Sequence, residues 1–196
     1  MLNKVGREIP EEIIEATGKE VFQGIYYKDN TEFHKQGPIT KVVMNHDTSK
    51  MVDSIHDALV KCGAHDGMTL GFHHHFRDGD LVVNMVMKEV QKMGIKDVTI
   101  CASSLGKAHD DLVPLIEDGT ITNIQTGEVT IDISFIGAPT CDDYGNCRGI
   151  GGKSDCGVLS YSFVDGNHAN KVVAVTDCLV PYPNYPPHVA GTKVDY

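Results

Sequence analysis

Residues 66–102 read DGMTLGFHHHFRDGDLVVNMVMKEVQKMGIKDVTICA, and the pattern of this stretch decides the fold class. Met68 to Phe72 is a short apolar run of strand length, closed by a polar turn. Leu81, Val82, Met85, Val86, Val90 and Met93 then recur at helical spacing until Gly94 stops them. Val98 to Ala102 is a second short β-rich run. Strand, loop, helix and strand in that order predict a parallel βαβ unit, and the domain is expected to be α/β, with an open, mainly parallel sheet flanked by helices. In such sheets the loops after the carboxyl ends of the strands hold ligands.

Working outward from this unit, Met51, Val52, Ile55, Ala58, Leu59 and Cys62 predict a helix running from Ser49 to the stop at Gly63. Downstream, Ser103-Ser104-Leu105-Gly106 reads as a turn, and His109 to Glu117 as a helical patch that Pro114 keeps irregular. Val129, Ile131, Ile133 and Phe135 alternate with Thr130, Asp132 and Ser134, which predicts a strand with one polar face. Lys171 to Thr176 is a later strand, and the Pro-rich residues 181–187 look like a domain edge. Near the start, Pro10 and Gly18 bracket a short helix. Residues 1–40 are read as an N-terminal extension and 41–196 as the α/β domain.

Seventeen basic against twenty-seven acidic residues give a net charge of −10, which argues against nucleic acid, whose binding depends on neutralising phosphates with Lys and Arg. A small anion is compatible with this balance if a local cluster of donors receives it. Neither a secretory leader nor a membrane span is apparent, so the expected location is the cytoplasm. The six cysteines are therefore expected to be reduced, and the spacing of Cys141, Cys147 and Cys156 lacks the short paired hooks of a zinc site.

Three places carry candidate chemistry. The first is Gly71 with His73, His74, His75 and Arg77, directly after a predicted buried strand. If the strand continues, His73 and His75 face one side and His74 the other, so a single metal takes all three with difficulty. Satisfying neighbouring backbone groups is the competing role for each histidine. The second place is the Ser103-Ser104 turn, whose hydroxyls and backbone N–H groups can grip a carboxylate or phosphate, although Ser is also an ordinary turn residue. The third is the loop PTCDDYGNCRGIGGKS, residues 139–154, which offers Arg148 and Lys153 beside glycines that admit close backbone approach. Arg148 stands where a phosphate loop needs its first glycine, so ATP binding is unsupported, and a surface loop with solvated charges is the alternative.

DGMTLGFHHHFR, GIKDVTICASSL, IDISFIGAPTCDDYGN and VVAVTDCLVPYP, in this order, resemble the citrate lyase alpha chain over nearly all of residues 41–190. The first motif is also similar to the Gly-x-Gly-Gly-Phe run of wider CoA-transferases, with His73 and His74 in place of glycines. The resemblance implies a CoA-transferase-like α/β fold and citrate CoA-transferase activity, in which citrate replaces acetate on a carrier-bound thioester. It implies an oligomeric complex with a lyase beta chain and an acyl carrier protein, whose CoA-like phosphopantetheine group bears the thioester; no cofactor resident on this chain is implied. On that basis His73, His74 and Arg77 are expected to be catalytic, and Gly71, His75, Ser103, Ser104, Arg148 and Lys153 to bind substrate. Cys141, Cys147 and Cys156 are expected to be neither nucleophiles nor metal ligands. Two departures accompany the resemblance. The family has a few tens of residues between the counterparts of Gln125 and Thr126 that this chain lacks, and the match covers the first of two related halves. A non-catalytic half-domain of the same complex, or a metal-binding protein using His73, His74 and His75, are the alternative readings.

Overall fold

The computed structural model describes residues 1–21, 23, 49–73, 81–125 and 130–196. The chain divides into two compact units, residues 1–36 and 37–196. In the first, helix α1 (Glu11–Thr17) starts after Pro10 and ends on Gly18, whose φ of 61° suits a residue without Cβ.

The second unit is built on five parallel strands: β1 (Thr69–His73), β2 (Val98–Ala102), β3 (Ile121–Gln125), β4 (Ile133–Gly137) and β7 (Lys171–Val175), in the order β3-β2-β1-β4-β7. A two-stranded hairpin, β5 (Thr140–Cys141) and β6 (Cys147–Arg148), follows β4. Chain order runs outward from β1 to β3 on one side and from β4 to β7 on the other. The switch in direction therefore lies between β1 and β4, which pair in parallel with His73 opposite Ile136.

Strand alternation sends successive side chains to opposite faces. Leu70, Phe72, Val98, Ile100, Ile133 and Phe135 form one core with the buried faces of α2 (Ile55–Cys62) and α3 (Val82–Lys92) and with Leu115 of α4 (Val113–Glu117). Phe72 and Phe135 stack across β1 and β4 with centroids 5.6 Å apart, a contact worth about 1 kcal/mol beyond area burial. On the other face Cys101, Ile136, Val172 and Ala138 pack with Leu159 and Ala169, which flank α5 (Ser160–His168), and with Val189 and Val194. Helices on both faces of a parallel sheet are the α/β architecture expected from the sequence.

Several local expectations need correction. The first helix of this unit begins at Ile55 rather than Ser49, because the Ser54 side chain accepts a hydrogen bond from Asp57 N and caps it there. The segment from His109 is a 3₁₀ turn, Lys107–Leu112, continued by α4 with Pro114 in its first turn. β4 is buried on both faces rather than amphipathic, since Ser134 points into the second core and not to solvent. β3 and α5 lay outside the sequence expectations altogether. No helix among the described residues is long and apolar enough to cross a membrane.

Candidate functional site

β1 ends at the switch point on His73. Its side chain projects to the α5 side of the sheet, the side shared by Gly71 and Cys101, while Phe72 fills the opposite core. There His73 Nε2 lies 2.9 Å from Asp165 Oδ2, with the two side chains only 11% and 7% exposed. The imidazole N–H donates and the carboxylate accepts. Ser134 Oγ, from β4, donates to the same oxygen at 3.0 Å. The His73 ring stacks on Tyr161 of α5 at 5.1 Å and 14°. Two residues one helical turn apart thus hold the ring, one by its edge and one by its face.

Gly71 makes this geometry possible. A Cβ there would come within 2.9 Å of Ile131 Cγ2 and 3.5 Å of Asp165 Oδ2, so a side chain would compete with the packing that seats Asp165. Gly71 is buried inside the strand rather than lying on the ligand loop. Burial pushes the Cys101 thiol up, and the negative charge of Asp165 adds to that push. His73 Nδ1 is buried and has no hydrogen-bond partner among the described residues.

The other expected residues fall around this point. Ser103 and Ser104 follow the end of β2 and are exposed; Ser103 is one position beyond the Phe72–Ala102 pair and so level with His73. Arg148 is half-buried on β6, its Nε without a hydrogen-bond partner among the described residues. Lys153 is exposed and pairs with Asp177 at 3.2 Å, a solvated contact of small energetic weight. Its loop closes over the carboxyl end of β4, where a Cβ on Gly152 would stand 2.1 Å from Pro139 O. His74, His75 and Arg77 lie outside the described residues. No group of three or more His, Cys, Asp or Glu with metal-binding geometry occurs among the described residues. Asp165, Tyr161 and Ser134 were not anticipated from the sequence.

None of the six cysteines is in a disulfide, and Cys141 and Cys147 face each other across the hairpin with sulfurs 3.5 Å apart. The Cys141 contact, then burial, then the charges of Cys141 and Asp142 push the Cys147 thiol well above its ordinary range, against a smaller opposing pull from Lys50. A raised thiol carries less of the reactive thiolate. Iodoacetamide at pH 8 should therefore label half-buried Cys62 and Cys178 first, reach Cys156 later because burial and the Asp155 charge push its thiol up, and leave Cys101, Cys141 and Cys147 until urea is added. Peptide mapping by mass spectrometry reads the order, and early labelling of Cys147 would contradict it.

A parallel α/β sheet with a polar couple at the carboxyl end of its switch-point strand has the arrangement in which open α/β proteins hold their ligands. The chain matches the family described as citrate lyase, alpha subunit, over residues 48–126 and 119–196, and it belongs to that family. The two matched segments overlap at residues 119–126. Among its relatives are the citrate lyase alpha chain of Klebsiella pneumoniae, 39% identical, and that of Escherichia coli, 37% identical. Each alignment covers 74% of this chain and 35% of the relative, so the chain spans about a third of their length. The solved alpha subunit of citrate lyase from Streptococcus mutans, in complex with citrate, superposes with a TM-score of 0.82 at 36% identity. That superposition covers 99% of this chain and 44% of the other.

Proposed function

We propose that this chain takes part in citrate CoA-transfer, exchanging the acetyl group of an acyl-carrier thioester for citrate in the cytoplasm, together with a lyase beta chain and the carrier protein. The observation that carries the reading is the His73–Asp165 couple, buried at the carboxyl end of the switch-point strand, in a family with a citrate-bound member. Metal binding through His73, His74 and His75 is the second reading; the His73–Asp165 contact is compatible with it, because metal-bound histidines commonly give their other N–H to a carboxylate, and the citrate-bound family member is what favours the anion.

The chemistry sets the demands. A citrate carboxylate oxygen attacks the acetyl thioester carbon and forms a C–O bond, placing negative charge on the former carbonyl oxygen. Collapse breaks the C–S bond and gives a mixed anhydride and a thiolate. The thiolate then attacks the citryl carbonyl, and acetate leaves. No proton is transferred, so the protein's task is to place the citrate carboxylate against the uncharged thioester carbonyl and to donate hydrogen bonds to the transient oxyanion. In this scheme His73, His74 and Arg77 line the reacting carbonyl: His74 and Arg77 donate to it, and His73, with Nε2–H held by Asp165, offers Nδ1 as an acceptor to the citrate hydroxyl. His75, Ser103, Ser104, Arg148 and Lys153 frame the substrates, Arg148 and Lys153 contributing positive charge and the serines contributing N–H and O–H donors, while Gly71 acts from inside the strand by leaving room for Asp165. The phosphopantetheine arm is part of the carrier substrate.

The test supplies acetyl-loaded carrier and labelled citrate to this chain together with the remaining portion of a relative's alpha chain. The expected result is label on the carrier with one acetate released per citrate joined. Citrate binding without label transfer would favour the non-catalytic half-domain and overturn the proposal.

A further inference from the structure

We infer that Asp165 is the positioning residue of the site: it holds the His73 ring by Nε2–H, keeps the proton there whenever the ring is neutral, and turns Nδ1 away from α5 as the atom left for a ligand. This rests on the reading of His73 as part of the citrate site, and it adds a residue and a tautomer to that reading.

The geometry supports it from three sides. Asp165 Oδ2 receives both the His73 Nε2–H and the Ser134 hydroxyl, so the carboxylate is oriented by the sheet before it orients the ring. Tyr161 stacks on the ring face and limits rotation about the Cβ–Cγ bond. The two imidazole nitrogens point in divergent directions, so holding Nε2 against α5 aims Nδ1 away from it. Nδ1 is buried without a partner among the described residues, and a buried polar atom left in that state calls for an explanation. A ligand donor, such as the hydroxyl of citrate, that gives Nδ1 its hydrogen bond supplies one. Among the described residues, the titratable groups around the couple are Tyr161 on the same helix and Cys101 on β2, while β4 contributes the Ser134 hydroxyl.

The inner surface of α5 gives independent support. Ser162, Asp165 and Gly166 are its buried residues, while Tyr161, Phe163 and Val164 are 59%, 57% and 51% exposed. Burying the polar side of a helix and exposing its apolar side costs stability unless the buried group has work to do. Here that group is the carboxylate on His73.

The experiment is ¹⁵N–¹H NMR of the histidine rings of this chain, with His73→Gln assigning the signal. In the wild type with a neutral ring, the Nε2–H form should exceed the Nδ1–H form by at least about tenfold, the preference that a hydrogen bond to a charged acceptor confers. Asp165→Asn should erase that preference, because an amide can accept from or donate to Nε2. Tyr161→Leu, which keeps the carboxylate, should retain it. A bare Nε2 in the wild type overturns the inference without any variant. An unchanged tautomer in Asp165→Asn, or loss of the preference in Tyr161→Leu alone, overturns it too. Citrate added to the same samples separates the two ideas: failure to bind sinks the functional reading, while the tautomer ratio still decides the role of Asp165.

Discussion

Replacing Asp142 by Ala is expected to lower the unfolding free energy by about 3–5 kcal/mol, the range reached when a buried network loses its central acceptor. Asp142 is 2% exposed. Its Oδ1 accepts from Tyr144 N at 3.0 Å and Asn146 N at 2.9 Å, and its Oδ2 from Asn146 Nδ2 at 2.8 Å and Asn184 N at 2.9 Å. Asn184 Nδ2 donates onward to Thr140 Oγ1 and Asn146 O, and Asn146 Oδ1 accepts from Gly191 N. One carboxylate therefore ties the β5–β6 turn to the Pro-rich segment and to the chain's last turn. Alanine would leave three backbone N–H groups and one amide without their acceptor. Urea unfolding at constant m-value measures the loss, and a change under about 1 kcal/mol would show that water replaces the carboxylate.

Gly149→Ala is expected to cost about 2–4 kcal/mol through a steric conflict that no rotamer relieves. Its Cβ would stand 1.6 Å from Gly157 O and 3.2 Å from Cys156 Sγ. Gly149 O also accepts from Cys156 N at 2.8 Å and Gly157 N at 3.0 Å, so the backbone must separate and both bonds must lengthen or break. The fall in thermal midpoint reads the effect. A variant as stable as the wild type would mean that the loop from Gly149 to Gly157 closes differently.

These two sites show how far sequence reading reaches here. PTCDDYGN is legible as a glycine-containing loop but not as a polar hub, because the partners of Asp142 include Asn184, which is distant in the chain and brought close by tertiary structure. β1, α3, β2 and β7 are legible because their apolar residues have a single period and clear stops. β3, reading ITNIQ, escapes because an edge strand exposes most of its length and need not be apolar. α5 escapes for a more informative reason. Ser160, Asp165, Gly166 and Asn167 are poor helix formers, and its apolar residues mark the outward face. The pattern that usually points to the core points away from it, and Asp165 is hidden by the same inversion. His73 was legible because three consecutive histidines after a strand are chemically conspicuous. That its Nε2 is committed to a carboxylate became visible only once α5 was placed on the sheet.

The central claim is that the carboxyl end of the switch-point strand holds citrate through His73. Calorimetric titration of citrate into this chain and into His73→Ala, with folding of both checked by circular dichroism, tests it most directly. The expected result is saturable binding to the wild type and at least about tenfold weaker binding to the variant, the scale of one lost hydrogen bond. Equal affinity in the two folded proteins, or no binding heat at any temperature in the wild type, would contradict it.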